Sequence, residues 1–184
     1  MSSAGDGAGT GPAGAEWARP VAASGWRWLP LSAAVIVADQ LAKAWMLHHF
    51  LLFQRVRLLP VLDLTLTYNT GAAFSLLADA SGWQRWAFVA LALGVSAVLL
   101  VWLRRVSASR QGLLACGLAL IVGGALGNMI DRVRLGHVID FVHAHWGAHY
   151  FPAFNVADSA ITVGAAVLLL DAWLEARRAP PGHS

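Results

Sequence analysis

The sequence is poor in cysteine and in charge. Its single cysteine, Cys116, excludes both an intrachain disulfide and a zinc site built from cysteines, and we expect it to be a small packing residue beside Gly117. Only 12% of the 184 residues are charged, whereas 58% are hydrophobic and the mean hydropathy is +0.59. This composition is far more apolar than that of a soluble domain and predicts one domain embedded in a membrane.

A continuous run of basic residues is also missing. The formal net charge is +3 and the pI is about 9.8, but the arginines flank apolar segments singly or in pairs. A nucleic-acid-binding surface needs a basic patch or stripe, so this distribution argues against a nucleic-acid partner.

Four apolar segments have lengths near the roughly 20 residues that a membrane-spanning helix requires. They are residues 29–47, 86–102, 113–130 and 156–174. The first resembles the core of a signal peptide, but Lys43 interrupts its cleavage-like site and further spans follow, which favours a retained helix. We interpret residues 1–27 as a disordered cytoplasmic leader, residues 28–174 as the membrane domain and residues 175–184 as a cytoplasmic tail.

Residues 56–68 differ from the spans, because apolar and polar side chains alternate there and β-branched residues are frequent. This period of two predicts a strand or extended ribbon outside the hydrocarbon. The predicted fold is therefore an all-α membrane protein with four transmembrane helices and a small extracytoplasmic β-rich region between the first and second spans.

The distribution of arginine predicts the orientation of these spans. Four spans place both termini on one side of the membrane. The leader, the loop after the second span and the tail hold seven arginines, against five in the two other connections. The excess of positive charge predicts cytoplasmic termini, so the connection that contains Asp140 should face outward.

Several polar residues lie within or beside the spans. Asp39 and Lys43 are four residues apart and can pair on one helix face, which reduces their cost in hydrocarbon. The pair either fixes helix packing alone or lines a polar cavity with catalytic carboxylates. Asn69, followed by Thr70 and Gly71, either forms a plain turn or hydrogen-bonds the backbone of a substrate.

The third span combines small residues with a polar end. Gly123 and Gly127 have a spacing that suits close helix contact, and Asn128 follows them. We expect Asp131 to anchor the end of this helix at the membrane interface, and its alternative role is that of a reserve candidate for the catalytic pair. Arg132 is a candidate for orienting a carboxylate or a lipid phosphate.

The connection 131–154 is polar and rich in histidine. Its histidines are His137, His143, His145 and His149. Imidazole and carboxylate together suit zinc, but no HExxH signature is present, and we interpret these side chains as an interfacial loop. His143 and His145 would share one face if this segment were extended.

Asp140 and Asp158 are the candidates for chemistry. Asp140 is flanked by bulky apolar residues, and Asp158 lies in the first turn of the fourth span, where a helix N-terminus favours negative charge without any catalytic role. Two neighbouring carboxyls cannot both ionise easily and therefore share a proton. With no evident nucleophile and base set, the pair predicts acid–base catalysis on a water molecule.

Five sequence blocks, in this order, resemble those of the bacterial lipoprotein signal peptidases (signal peptidase II), an aspartyl peptidase family. They span the chain from about residue 28 to residue 174. The blocks are Asp39-Gln40-x-x-Lys43, Asn69-Thr70-Gly71-Ala72-Ala73-Phe74, Gly123-Gly124-Ala125-Leu126-Gly127-Asn128-x-x-Asp131-Arg132, Val138-Ile139-Asp140-Phe141 and Phe154-Asn155-Val156-Ala157-Asp158.

The resemblance implies a multi-pass aspartic endopeptidase of the bacterial inner membrane. It would remove signal peptides from diacylglyceryl-modified prolipoproteins by cleaving before the lipidated cysteine, near the outer face and among membrane lipid. Asp140 and Asp158 match the catalytic pair. The positions that match supporting or substrate-contacting residues are Asp39, Lys43, Asn69, Gly71, Asn128, Arg132 and Asn155. No metal or organic cofactor is implied, and globomycin-type cyclic peptides would be inhibitors.

Two other classes of function fit part of the pattern. In a transporter or proton-conducting protein, the ionisable residues would form a relay. The four spans show no evident repeat, however, and Asp171 is the one obvious ionisable candidate in the cytoplasmic half. A non-enzymatic lipid-binding or scaffold protein is the second alternative. Cleavage of a diacylglyceryl-modified precursor separates both from a peptidase.

Overall fold

The structure is a computed structural model that describes residues 23–71 and 82–178. Within these residues the chain forms four α-helices and a four-stranded sheet. The helices are α1 (Leu29–His49), α2 (Trp83–Arg105), α3 (Gly112–Leu135) and α4 (Val156–Arg178), and a 3₁₀ turn, Gly25–Trp28, leads into α1. The strands are β1 (Arg55–Leu59), β2 (Leu62–Asn69), β3 (Val138–Trp146) and β4 (His149–Tyr150).

Each predicted span lies inside one of these helices. Among the described residues, α2, α3 and α4 are long and apolar enough to cross a membrane, with mean hydropathies of 2.4, 2.0 and 1.5 in their most apolar windows. Helix α1 has 21 residues but is not in this group, and it carries Asp39, Gln40 and Lys43. The described residues therefore contain three apolar spans, and α1 is a polar-faced helix of similar length.

Helix α3 is the centre of the bundle because small residues let its neighbours approach. A Cβ atom added at Gly123 would lie 2.9 Å from the carbonyl oxygen of Ser32 on α1. The neighbouring Gly124 faces the backbone of Ala157 on α4 in the same way. The predicted close helix contact at Gly123 and Gly127 is confirmed, and it brings α1, α3 and α4 together beneath the sheet.

The antiparallel sheet has the strand order β1-β2-β3-β4. The predicted ribbon is a hairpin, in which Pro60 and Val61 form the turn between β1 and β2. The expectation that all β-structure lies between the first and second spans is wrong, because β3 and β4 come from the connection between α3 and α4. The first four residues of β3 are all buried, so this strand shows no alternation of exposed and buried residues by which it could have been recognised.

An apolar cluster fixes the sheet on the bundle. It consists of Met46 from α1, Leu66 from β2, and Ile139 and Phe141 from β3. Phe154, just before α4, adds backbone contacts, since its carbonyl accepts from the Phe141 and Val142 N–H groups at 3.0 and 2.8 Å. The start of β3 is thereby held against the ends of α1 and α4.

The outer part of the sheet has a charged centre of its own. Asp63 is fully buried, and Arg57 Nε, His145 Nε2 and Arg55 Nε lie 3.3, 3.4 and 3.8 Å from its oxygens. Burial opposes ionisation of Asp63, but the hydrogen bond from Arg57 and the charges of His145, Arg57 and Arg55 hold its pKa below the ordinary value of 3.8. The carboxylate therefore stabilises the folded state above that pH.

Replacing this carboxylate should make the stability of the sheet less dependent on pH. We expect Asp63→Asn to lower the Tm at neutral pH, and the difference from the wild type to shrink as the pH falls from 3.8 through the lower pKa of the folded carboxylate, where that group also takes up a proton. Thermal unfolding of the detergent-solubilised chain over a pH series measures this. Glu175→Gln, at an exposed position of α4, is the matched control and should leave the Tm unchanged. A difference for Asp63→Asn that does not vary with pH would contradict the assignment.

Candidate active site

Asp140 and Asp158 meet at one cavity. Asp140 is the third residue of β3, and Asp158 lies in the first turn of α4. Both line a cavity of about 1030 Å³, together with Asn69, Asn128 and Arg132. The structure thus brings together two acids that are 18 positions apart in the sequence and belong to different structural elements.

Two amide groups hold the carboxyl group of Asp140. Asn155 Nδ2 donates to Oδ1 at 2.8 Å, and Asn69 Nδ2 donates to Oδ2 at 3.0 Å. Burial, and then the negative charge of Asp158, raise the pKa of Asp140 to about 6, against the opposing effects of these hydrogen bonds and of Lys43. A substantial fraction of Asp140 is therefore protonated in mildly acidic solution.

Asp158 takes part in a reciprocal cap at the start of α4. Its backbone N–H donates to Asn155 Oδ1 at 2.9 Å, while the Asn155 backbone N–H donates to Asp158 Oδ2 at 3.2 Å. This is the pattern of a capping box, with asparagine and aspartate as its two members. The other carboxylate oxygen, Oδ1, accepts from Asn128 Nδ2 at 2.7 Å. Asp158 therefore lies at the helix N-terminus as predicted, and it also lines the cavity.

The three asparagines around the acids are all held as donors. Asn155 Oδ1 accepts the Asp158 N–H, and Asn69 Oδ1 accepts the Gly71 N–H at 3.0 Å. Asn128 Oδ1 accepts from Lys43 Nζ at 2.9 Å and from Asn155 Nδ2 at 3.0 Å. Because each amide oxygen already accepts from a donor, each NH₂ group faces a carboxylate.

A buried charge cluster lies behind Asn128. Lys43 Nζ is 2.7 Å from Asp39 Oδ2, 2.7 Å from Asp131 Oδ2 and 2.9 Å from Asn128 Oδ1, which accounts for the three donors of the ammonium group. The predicted pairing of Asp39 with Lys43 is confirmed. Neither residue lines the cavity itself, and Asn128 connects them to Asp158. Asp39 Oδ1 also accepts the N–H of Ala157 at 2.9 Å, which ties α1 to the start of α4.

The prediction that Asp131 lies at the end of the third span is wrong. Its side chain is buried, and Gln40 Nε2 donates to its Oδ1 at 2.8 Å. The reason is that α3 continues to Leu135, beyond the predicted end at residue 130, so Asp131 lies inside the helix and not at its end. Its structural role is that of a packed ion-pair partner.

Arg132 and Gly71 meet in the wall of the cavity. Arg132 Nη2 donates to the Gly71 carbonyl at 3.1 Å, and its guanidinium lies 4.9 Å from the centre of the Phe88 ring. Asn69 forms the predicted turn through its oxygen, while its NH₂ group contacts Asp140. The rest of that block, residues 72–74, lies outside the described residues.

Three of the four histidines, His143, His145 and His149, lie on strands and not in a loop, whereas His137 lies in the bend between α3 and β3. His143 and His145 share one face of β3, as predicted for an extended segment, and each ring centre is 4.9 Å from that of Tyr150. Burial, and next the charge of Arg55, lower the pKa of His143, which lines the cavity. In the part of the chain that the structure describes, His, Cys, Asp and Glu side chains form no group arranged to hold a metal ion.

Thr67 and Tyr150 are among the cavity residues that the sequence analysis did not identify. Thr67 Oγ1 donates to the backbone oxygen of Asp140 at 3.1 Å, and Tyr150 forms part of the cavity wall. Thr67 could have been identified from the sequence, because it lies two residues before Asn69 and residues at that spacing share one face of a strand. Tyr150 could not have been identified in this way, since β4 has only two residues and shows no periodic pattern.

Loss of the amide of Asn69 should make Asp140 harder to ionise. The hydrogen bond from Asn69 favours the ionised form, so we expect Asn69→Ala to raise the pKa of Asp140 above about 6. Infrared titration of the carboxyl C=O stretch, with Asp140→Asn identifying the band, measures this. Thr67→Val is the matched control, because it removes a bond to the Asp140 backbone and leaves the carboxyl contacts in place. An unchanged or lowered pKa in Asn69→Ala would refute the assignment.

Comparisons with known proteins agree with this architecture. A sequence profile described as "Signal peptidase (SPase) II" matches residues 31–174. The "Lipoprotein signal peptidase" of Pseudomonas putida is 52% identical over 158 residues, covering 85% of this chain and 92% of that protein. The protein of the same description from Pseudomonas fluorescens is 57% identical over 146 residues, covering 78% and 85%.

A solved structure gives the same result at the level of the fold. A bacterial membrane enzyme determined by the in meso method at 2.3 Å aligns with a TM-score of 0.74 and 25% identity, covering 86% of this chain and 94% of that one. The profile spans both acids, and each relative covers most of the chain. The chain is therefore a multi-pass membrane peptidase and belongs to the signal peptidase II family.

Proposed function

We propose that this protein removes the signal peptides of diacylglyceryl-modified prolipoproteins as an aspartic endopeptidase, with Asp140 and Asp158 as its catalytic pair. The observation that carries the proposal is the convergence of these two carboxyl groups on one cavity, each held by amide donors. The relatives described as lipoprotein signal peptidases support the substrate class. Cleavage would occur before the lipidated cysteine.

The contacts suggest a division of roles between the two acids. Asp140, whose pKa is about 6, holds the shared proton and donates a hydrogen bond to the oxygen of the scissile carbonyl. Each of its oxygens keeps a second lone pair beyond the asparagine contact, so protonation does not require the contact to break. Asp158 accepts a proton from water, and the resulting hydroxide adds to the carbonyl carbon.

The tetrahedral intermediate then collapses with the charges balanced. The proton that Asp158 received passes to the nitrogen of the scissile bond, the C–N bond breaks, and the carboxyl product and the free amine of the cysteine leave. Arg132 borders the same cavity, and its positive charge favours the negative oxygen that forms in the intermediate. Asn69, Asn128 and Asn155 keep the two acids in place throughout.

We propose that α1 is the fourth membrane span. Its polar residues Asp39 and Lys43 face α3 and α4, whereas Val37, Leu41 and Trp45 lie on its exposed side. Inward pairing reduces the cost of charge in hydrocarbon, and the exposed apolar side suits contact with lipid. Residues 28–174 then form the membrane domain of a bacterial inner-membrane protein, between a cytoplasmic leader and a cytoplasmic tail, with the sheet and the cavity on the outer face.

The apolar part of the cavity is our candidate location for the lipid of the substrate. Phe151 and Phe154 line one side, and Ile161 and Val163 line the side formed by α4. Phe151 and Val163 are 57% and 53% exposed, so this part of the cavity opens onto the lipid-facing surface. A globomycin-type inhibitor would compete for the same space.

Cleavage of a synthetic diacylglyceryl-modified prolipoprotein peptide by the purified chain tests the proposal. We expect Asp140→Asn and Asp158→Asn each to reduce kcat by about 10²- to 10⁴-fold, the usual contribution of a positioned acid or base. Chelating agents should have no effect. Asp171→Asn, which changes a carboxylate on α4 that does not line the cavity, is the matched control and should retain wild-type activity.

Three outcomes would count against parts of the proposal. Wild-type activity in Asp140→Asn or Asp158→Asn would remove that residue from the pair. Equal cleavage of a peptide whose cysteine carries no lipid would contradict the substrate class. Loss of activity with a chelating agent would contradict catalysis by carboxylates alone.

A further inference from the structure

We infer that Asp131, a residue outside the cavity, is a positioning residue for both catalytic acids. It acts on Asp158 through Lys43 and Asn128, and on Asp140 through the backbone of β3. This inference rests on the proposed function, because it concerns the geometry of that catalytic pair.

The first connection runs through a chain of short polar contacts. Asp131 Oδ2 is 2.7 Å from Lys43 Nζ, Lys43 donates to Asn128 Oδ1 at 2.9 Å, and Asn128 Nδ2 donates to Asp158 Oδ1 at 2.7 Å. An asparagine side chain can rotate and present either its oxygen or its NH₂ group. The ammonium of Lys43 holds the oxygen, so the NH₂ group stays directed at Asp158.

The second connection is through the main chain. Asp131 Oδ2 also accepts the backbone N–H of Ile139 at 3.3 Å, and Ile139 directly precedes Asp140. Gly136, which ends α3 in a left-handed conformation with φ of 86°, lets the chain reverse between these residues. The carboxylate of Asp131 therefore joins the last turns of α3 to the start of β3, where Asp140 begins its approach to the cavity.

Gln40 completes the arrangement from α1. Its Nε2 lies 2.8 Å from Asp131 Oδ1, and 3.3 Å from both the Gly127 carbonyl and Asp39 Oδ2. Both oxygens of Asp131 thus have donors, since Oδ1 accepts from the neutral Gln40 and Oδ2 accepts from the charged Lys43 and the Ile139 N–H. A buried carboxylate held by donors from two other elements, α1 and β3, has little freedom to move, which is what a positioning group requires.

The charge of Asp131 also influences the acids. Asp39 and Asp131 together place two negative charges around the single positive charge of Lys43. Asp131→Asn keeps the shape of the side chain but leaves Lys43 balanced by Asp39 alone. The additional positive charge favours the ionised form of Asp140, so its pKa should fall below about 6.

The elements around Asp140 carry several charged or titratable groups. These are Asp39 and Lys43 on α1, Asp131 and Arg132 on α3, His137 and His143 along the β3 segment, and Asp158 on α4.

The test compares the full chain and its variants in detergent, with the diacylglyceryl-modified peptide as substrate. For Asp131→Asn we expect kcat to fall by about 10- to 100-fold, as small displacements of catalytic groups do, with little change in KM. Both limbs of the pH–activity profile should move to lower pH. Asp63→Asn is the matched control, because it changes an equally buried carboxylate of the sheet that has no contact with the pair. It should lower the Tm and leave the pH profile in place.

The outcomes are distinct. If Asp131→Asn lowers the Tm but keeps the wild-type kcat and pH profile, Asp131 only stabilises the fold and the inference is overturned. If this variant does not fold, Gln40→Met decides, because it removes a donor to Asp131 and preserves every charge. A severalfold lower kcat with unchanged KM and pH profile would support the inference, and wild-type kinetics would overturn it. Failure of the wild-type chain to cleave the substrate would refute the proposed function instead.

Discussion

The ammonium group of Lys43 is the interaction on which the site depends. An isolated ammonium in an apolar interior costs several kcal/mol, so it remains buried only with charged and hydrogen-bonding partners around it. Those partners are Asp39 on its own helix, and Asn128 and Asp131 on α3. Asp39 in turn accepts a backbone N–H at the start of α4. Satisfying one cation thereby fixes three helices relative to one another at the level of the carboxylate pair.

The asparagines direct their amide dipoles at the two carboxyl groups that these helices hold in place. Burial and the second carboxylate disfavour ionisation of Asp140, while amide donors favour it, and the balance raises its pKa to about 6. Such a carboxyl group can hold or release a proton with a small change in free energy. Because Lys43 and backbone N–H groups orient the amides, these dipoles are in place before a substrate binds, as electrostatic preorganisation requires.

The sequence predicted the local features of the structure better than the long-range ones. The Asp39–Lys43 pair depends on a four-residue helical spacing, and the helices follow from apolar runs, so both could be recognised. The strand β3 could not, since burial of its first residues removes the alternation that marks a strand. The location of Asp131 depended on where α3 ends. Contacts such as Asn69 with Asp140, 71 residues apart, arise from packing that no local period encodes.

The two acids belong to different elements, β3 and α4, and Asn155 links these elements by hydrogen bonds. This fully buried residue caps α4 through its oxygen, and its NH₂ group reaches Asp140, Asn128 and the Ile139 carbonyl. A shift of the sheet over the bundle would break these contacts and separate the carboxyls. The apolar cluster of Met46 and Ile139 opposes such a shift from below. The residues that fold the sheet onto the helices therefore also fix the separation of the two carboxyl groups.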